Sequence, residues 1–305
     1  MRIVQRFCIY ALLILGSITF LIPLLWMIST GLKPIDQTMS LPPTWIPYRF
    51  YVEKDGARVE ITQSELDNYP TDKVIKVAAP RWGNFTAAIT AMKMFSTYLK
   101  NTLILCILTV VGTVLSSALA AYGFSRIEWR GRNQVFLLAL ATMMVPFPVT
   151  MVPMYSLFRW LGWIGTLKPL WVGSFFAGAF NVFLLRQFFM TLPKDLSEAA
   201  RIDGCNEFRI FWQIVLPLCR PALMVVGLFQ FMYTWNDFMG PLIYLTNQKD
   251  FTLALGLQFF QSQHGGTEWH YLMAASTLVA LPIIVLFFFT QKTFIEGISM
   301  TGIKG

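Results

Sequence analysis

The sequence predicts an all-α membrane protein with six transmembrane helices, both termini cytoplasmic, and a small external β-containing insertion. Three observations lead there. Of 305 residues, 55% are hydrophobic and only 13% charged, against about 25% charged in an ordinary soluble domain. Six apolar runs of roughly 20 residues follow one another, the length that crosses a bilayer as a helix. The basic residues collect at alternate ends of those runs, as the positive-inside rule requires.

The first run, Phe7 to Thr30, follows Arg2 and Arg6 and carries no charge. It resembles a secretory signal, but it is too long and lacks an A-x-A type cleavage site. About 22 residues at ~1.5 Å each reach roughly 33 Å, enough for the hydrocarbon core. Further runs lie at Thr102–Phe124, Val135–Phe158, Leu170–Phe189, Ala222–Leu245 and Tyr271–Thr290. Arg2, Arg6, Arg126, Arg130, Arg132, Lys194, Arg201, Arg209, Arg220, Lys292 and Lys304 fall on one side. The short loops opposite hold Arg159, Lys168 and Lys249. The base-rich side is therefore read as cytoplasmic. The long external loop, 33–97, carries nearly as many acids as bases, and long loops translocate largely regardless of charge.

Within that loop, "YVEKDGARVEI" alternates apolar and polar residues around Asp55-Gly56, a hairpin signal. A β-hairpin-like insertion is expected over about 48–80. "WGNFTAAITAMKMFSTYLKN" reads as one amphipathic helix leading into the second span. "MMVPFPVTMVPMY" places Pro146, Pro148 and Pro153 in one helix, freeing backbone carbonyls that need protein or water nearby.

Charge distribution and chemistry exclude several classes. The net charge of +8 could suggest nucleic acid, but no basic stripe interleaves with aromatics. Cys8, Cys106, Cys205 and Cys219 form no CxxC pair and read as unpaired, mostly buried thiols. His264 and His270 lack metal-ligand companions, so no metal site is expected. No Ser/His, paired-carboxylate or H-E-x-x-H constellation lies in the spans, so no catalytic residue is assigned. Polar residues inside the runs are Asn181 in the fourth and Trp235, Asn236 and Asp237 in the fifth. They are candidates for a substrate pathway, because an acid at membrane depth usually faces a bundle interior or aqueous cavity. Trp235 reads equally well as an interfacial belt residue.

The cytoplasmic segment 190–221 is the most structured part of the text: "LSEAARIDGCNEFRIFWQIVLP". Asp195 and Glu198 stand in capping-box spacing ahead of a helix from about Leu196 to Asp203. Gly204 supplies a left-handed corner, and Asn206 caps a second short helix. On that helix Phe208, Phe211, Trp212 and Val215 share an apolar side, and Pro217 and Pro221 end it. The predicted helix–glycine–helix hairpin suits docking: Ala199 and Ala200 let a surface come close, and Glu198, Arg201 and Glu207 supply charge. The alternative is an amphipathic hairpin lying among headgroups.

These residues resemble the EAA motif of permease subunits of ABC importers: E-A-A, three residues, G, nine residues, I-x-L-P. Glu198, Ala199, Ala200, Gly204, Ile214, Leu216 and Pro217 fill its named positions. "SLPPTWIP", "WGNF", "MVPMYSLFRWLGWIGT", "YTWNDFMGPLIYLT" and "FIEGISMTGIKG" resemble landmarks of the carbohydrate-importing branch, of the maltose-type second permease. The insertion 48–80 is a departure from it. The resemblance implies a coupling helix around Glu198–Asp203, with Arg201 and Asp203 inside it, seated on a separate ATPase subunit. Glu198 would pair with a base there, and the cytoplasmic tail, 290–305, would reach the same interface near Gly302–Gly305. It implies that Gln261, His264, Gly265 and Gly266 face an extracytoplasmic solute-binding protein. It also implies two ATPase subunits, a second homologous permease, and a bacterial or archaeal plasma (inner) membrane.

The chain has no GxxxxGK[ST], so ATP and Mg are expected on the partner ATPase subunits and no cofactor on this chain. A sugar is the expected solute; glycerol phosphate or a polyol is the alternative within the class. An ion-coupled secondary carrier is the alternative outside it. Such carriers usually place several ionisable groups at membrane depth, whereas Asp237 stands nearly alone here.

Overall fold

The computed structural model describes residues 3–54, 56–261 and 266–302. Helix α1 (Ile3–Gly31) is followed by strands β1 (Tyr48–Lys54), β2 (Ala57–Ile61) and β3 (Val74–Ala78). Helices α2 (Gly83–Ala91), α3 (Phe95–Ser125), α4 (Arg132–Ala141), α5 (Phe147–Trp160), α6 (Lys168–Trp171) and α7 (Ala179–Thr191) come next. Short helices α8 (Asp195–Ile202), α9 (Glu207–Ile210) and α10 (Leu216–Leu218) precede α11 (Arg220–Asn236) and α12 (Met239–Tyr244). The described chain ends with α13 (Leu253–Gly256) and α14 (Trp269–Gly302). The molecule divides into two compact units: Met1–Phe95 with Gly256–Ile284, and Ser96–Leu255 with Val285–Gly305.

Among the described residues, four helices are long and apolar enough to cross a membrane: Gln5–Gly31, Phe95–Ser125, Lys168–Thr191 and Trp269–Gln291. The third apolar run is instead a bent pair, and a second bend falls at Cys219, just ahead of the fifth run. Arg132–Met144 and Phe147–Trp160 meet at 98°, and Glu207–Leu218 meets Arg220–Asn236 at 80°. The expectation of one helix containing Pro146, Pro148 and Pro153 is thus corrected. Val145 is extended (φ −82°, ψ 113°) because the residue before a proline is pushed out of the helical region. Pro146 then starts α5 as its N-cap.

In the first unit, the carbonyls at the end of α1 have no partners within the helix, and the start of α2 supplies them. Asn84 Nδ2 donates to Gly31 O at 2.9 Å and Lys33 O at 2.8 Å. The Arg81 amide donates to Leu32 O at 2.9 Å. Lys33 is fully buried, with Nζ 4.0 Å from the centroid of the Trp26 ring. Burial lowers its pKa, and the ring face offsets part of the lost hydration.

The insertion is a three-stranded antiparallel sheet of order β2-β1-β3. Lys54 pairs with Ala57, and Gly56 has φ +77°. The third strand, β3, returns along the other edge of β1, with Tyr48 opposite Ala78. The single amphipathic helix expected after it is broken: α2 and α3 are separated at Met92–Met94, where Lys93 has φ +51°. At the other end, residues 291–302 continue α14.

The second unit is organised around α3. Its neighbours approach closely because small or hydroxylated residues line it. Ser117 and Ala118 are buried, Ala121 is fully so, and Thr109 Oγ1 lies 2.9 Å from Thr234 Oγ1 on α11. The core continues through Leu185 and Phe189 of α7 to Ile210, Phe211, Val215 and Cys219. All four cysteines are free; Cys106 and Cys219 are buried, but Cys8 is exposed.

Candidate functional site

The segment 190–221 folds as a chain of locally encoded stops and starts. Pro193 forces Leu192 into an extended conformation (ψ 139°), ending α7. Arg126 then takes up the carbonyls that α7 leaves open, donating from Nη2 to Phe189 O at 2.5 Å and Leu192 O at 2.7 Å. A base at a helix C-terminus is favoured by both hydrogen bonding and the helix dipole.

Helix α8 begins one residue earlier than expected, and the capping box is not formed. Lys194 occupies the N-cap position in a helical conformation with no side-chain cap, and Asp195 is already inside the helix. Asp195 and Glu198 in the first turn and Arg201 in the last still complement the dipole. Ser197 and Ala200 are buried, while Glu198, Ala199, Arg201, Asp203 and Gly204 are exposed. Ala200 therefore belongs to the protein's own core, and of the two alanines only Ala199 is left to admit a partner. Beside it stands Ile202, 87% exposed. A β-branched apolar side chain so far from any contact is the feature of this face that sequence reasoning missed.

Gly204 makes the corner, at φ +80°. Its amide donates to Arg201 O at 3.0 Å and the Cys205 amide to Ala200 O at 2.9 Å, the paired bonds of a Schellman termination. Asn206 caps α9, accepting from the Arg209 amide at 2.8 Å. The expected apolar side of the second helix is split. A π-helical turn over Phe211–Val215 rotates Ile210, Phe211 and Val215 into the core. Phe208 and Trp212 stay largely exposed and stack on each other, 6.3 Å apart. Ile214 and Leu216 pack against the core from its edge, and Pro217 is exposed.

Glu207 was expected to offer charge to a partner, but the fold uses it internally. Arg201 Nε donates to its Oε1 at 2.7 Å, and the Tyr122 hydroxyl donates to its Oε2 at 2.6 Å. The bond from Arg201 holds the Glu207 carboxyl below the usual carboxylate range; partial burial opposes this, and the Tyr122 hydroxyl adds to it. The same bond raises the Arg201 guanidinium. Tyr122, at the end of α3, is buried, and its ring lies 5.2 Å from Phe211. Nothing in the sequence distinguished it from the aromatic filler of an apolar run. Beside this triad is a cleft of about 560 Å³ whose wall includes Arg126, Glu128, Lys194 and Glu198.

The pathway candidates differ in their surroundings. Trp235 is buried and stacked on Phe231 at 5.4 Å. Asn236 is exposed and donates to Met232 O one turn back at 2.8 Å. Asp237 is not in a helix interior: α11 ends before it, and its Oδ1 accepts from the Gly240 amide at 3.0 Å, at the start of α12. Asn181 is half-buried on α7, next to Gly178. Of the residues expected to meet a binding protein, Gln261 bridges to Thr267, Gly266 has φ +106°, and both are exposed. His264 and Gly265 lie outside the described residues, as does the chain beyond Gly302.

Residues 112–299 match the model of the family described as binding-protein-dependent transport system inner membrane component. The chain is 36% identical over 222 residues to the arabinooligosaccharides transport system permease protein AraQ of Halalkalibacterium halodurans, covering 73% of this chain and 79% of that one. It is 30% identical over 305 residues to the trehalose/maltose transport system permease protein MalG of Thermococcus litoralis, covering 100% and 99%. Among solved structures it is similar to a chain of a bacterial ABC transporter involved in the import of the acidic polysaccharide alginate. That likeness has a TM-score of 0.73 at 20% identity, covers 96% of this chain and 98% of that one, and speaks for the fold. With a family match over more than half its length and end-to-end kinship to a permease, the chain belongs to the binding-protein-dependent transport system inner membrane components.

Proposed function

We propose that the chain is the sugar-conducting permease subunit of an ATP-driven importer, and that segment 190–221 is where the ATPase delivers its work. The observation that carries this is the Schellman-terminated hairpin of α8 and α9. It turns Glu198, Ala199 and Ile202 outward while its other side is built into the same core as α3, α7 and α11. Glu198, Ala199, Arg201, Asp203 and Gly204 form the docking element, and Ile214, Leu216 and Pro217 fix it to the spans. The sugar reading is supported by relatives named for arabinooligosaccharides, trehalose/maltose and maltodextrin.

In this reading there are six spans. The four continuous helices are joined by α4–α5 and by α11–α12 as broken spans, with both termini cytoplasmic and the β-sheet outside. Broken spans are tolerated where their freed backbone groups face protein or a water-filled path. Two ATPase subunits carry ATP and Mg, a second homologous permease completes the path, and a solute-binding protein delivers sugar from outside. Gln261 and Gly266 lie on the surface that receives it. The membrane is the plasma (inner) membrane of a bacterium or archaeon. Alternating access follows if ATPase closure favours the outward-open arrangement by differential contact with α8.

The test is reconstitution of the permease pair with its ATPase and binding protein, followed by uptake of a labelled sugar panel that includes glycerol phosphate. ATP-dependent uptake of a sugar is expected, with Glu198→Lys remaining inserted but losing ATPase binding and transport. Uptake by the chain alone, driven by an ion gradient, would overturn the reading.

A further inference from the structure

Glu207 is a stationary anchor rather than a docking charge, and its two bonds run in different directions. One oxygen is held by Arg201 on α8, the element turned toward the ATPase in the reading above, on which this inference rests. The other is held by Tyr122, three residues before the C-terminal end of α3. We propose that Tyr122, Glu207 and Arg201 form a strut that transmits displacement of α8 to α3, making Tyr122 and Glu207 positioning residues for transport.

The chemistry suits a load path. A carboxylate that accepts through both oxygens cannot swing about one bond without breaking the other. The bonds are short, 2.6 and 2.7 Å, as expected when the acceptor is charged. A hydrogen bond to a charged group shifts an equilibrium by roughly tenfold or more, and these add a polar link between α8, α9 and α3 to the apolar packing they share. The receiving helix can carry the load. Among the described residues of α3, Thr102, Leu105, Thr109, Ser117 and Ala121 are nearly inaccessible, and Thr109 meets Thr234 on α11. A push at Tyr122 therefore moves a packed rod and does not dissipate in a loose end. The ring itself adds only apolar contact with Phe211, so the hydroxyl can be removed while the packing stays.

The experiment is the reconstituted importer with Tyr122→Phe, Glu207→Ala and the double variant, reading sugar transported per ATP hydrolysed alongside ATPase co-purification. Tyr122→Phe is expected to keep the ATPase bound and hydrolysing while transport per ATP falls about tenfold. The double variant should transport no worse than Glu207→Ala, because both remove the same link. A wild-type ratio in an assembled Tyr122→Phe complex overturns the strut and leaves the docking assignment standing. Additive losses also overturn it, since the two groups would then act separately. A wild-type chain that transports without any ATPase overturns the docking assignment, and the strut with it. Should Glu207→Ala fail to assemble, Tyr122→Phe decides alone.

Discussion

Ile202→Ala tests the docking face most directly, because the native fold gives Ile202 almost nothing to lose. The side chain is 87% exposed, so its truncation removes no packing and should leave the melting temperature unchanged. A partner that covers α8 would bury it. Alanine lacks three of isoleucine's carbons, and at about 0.8 kcal/mol per buried carbon the missing contribution is roughly 2.4 kcal/mol. Since about 1.4 kcal/mol is a factor of ten, the dissociation constant for the ATPase should rise roughly 50-fold. The assay is titration of labelled ATPase subunit onto the permease pair in nanodiscs, with thermal melting of the same samples. A dissociation constant within about twofold of wild type, against the ~50-fold expected from burial, would refute burial of this face. A fall of several degrees in melting temperature would instead show that Ile202 supports the fold.

Gly204→Ala should weaken coupling through backbone strain of about 1–2 kcal/mol, because φ is +80° and only glycine adopts that region freely. No atom lies within 4 Å of a Cβ built there, so Gly204→Asn should transport better than Gly204→Ala despite its bulk, since asparagine visits this region; the reverse order would point to steric exclusion. Gly112→Ala should lower the melting temperature by overpacking worth about 1 kcal/mol, the low end of the usual range because the ring it meets is partly exposed. The new Cβ would sit 2.6 Å from the Phe175 ring, so adding Phe175→Ala should restore part of the loss, and purely additive effects would count against the contact. The Glu207 anchor has a defined pH sign. Its folded pKa lies below the unfolded value, so its stabilisation is full above the ordinary carboxylate range and is lost as pH falls through the folded value. The melting-temperature gap between wild type and Glu207→Gln should therefore close on acidification, and a gap that widens would contradict the Arg201 contact.

Periodicity and punctuation made much of this protein legible. The apolar runs gave the location of every long helix, since ~20 apolar residues without charge have few other solutions. Gly204 and Asn206 announced the loop's corner and cap because those roles depend on a residue's own backbone and side chain. Asp55-Gly56 announced the hairpin, but not β3, which pairs across an intervening segment of 3-10 turns. The runs did not reveal that the third bends by 98°, or that α11 meets the helical segment before it at 80°. A proline marks where a helix can break, whereas the angle depends on what surrounds the freed carbonyls.

By itself the sequence determined where the apolar runs lie and the local geometry of segment 190–221. Tertiary structure alone decided which side chains remain for a partner. Ala200 and Glu207 look available in the text, yet one lies in the core and the other is held by Tyr122 and Arg201. The physical reason is that a charge or small residue is committed by whatever comes within hydrogen-bonding or packing distance. Tyr122, 85 residues before Glu207 in the chain, reaches it only because α3 and the loop share one core.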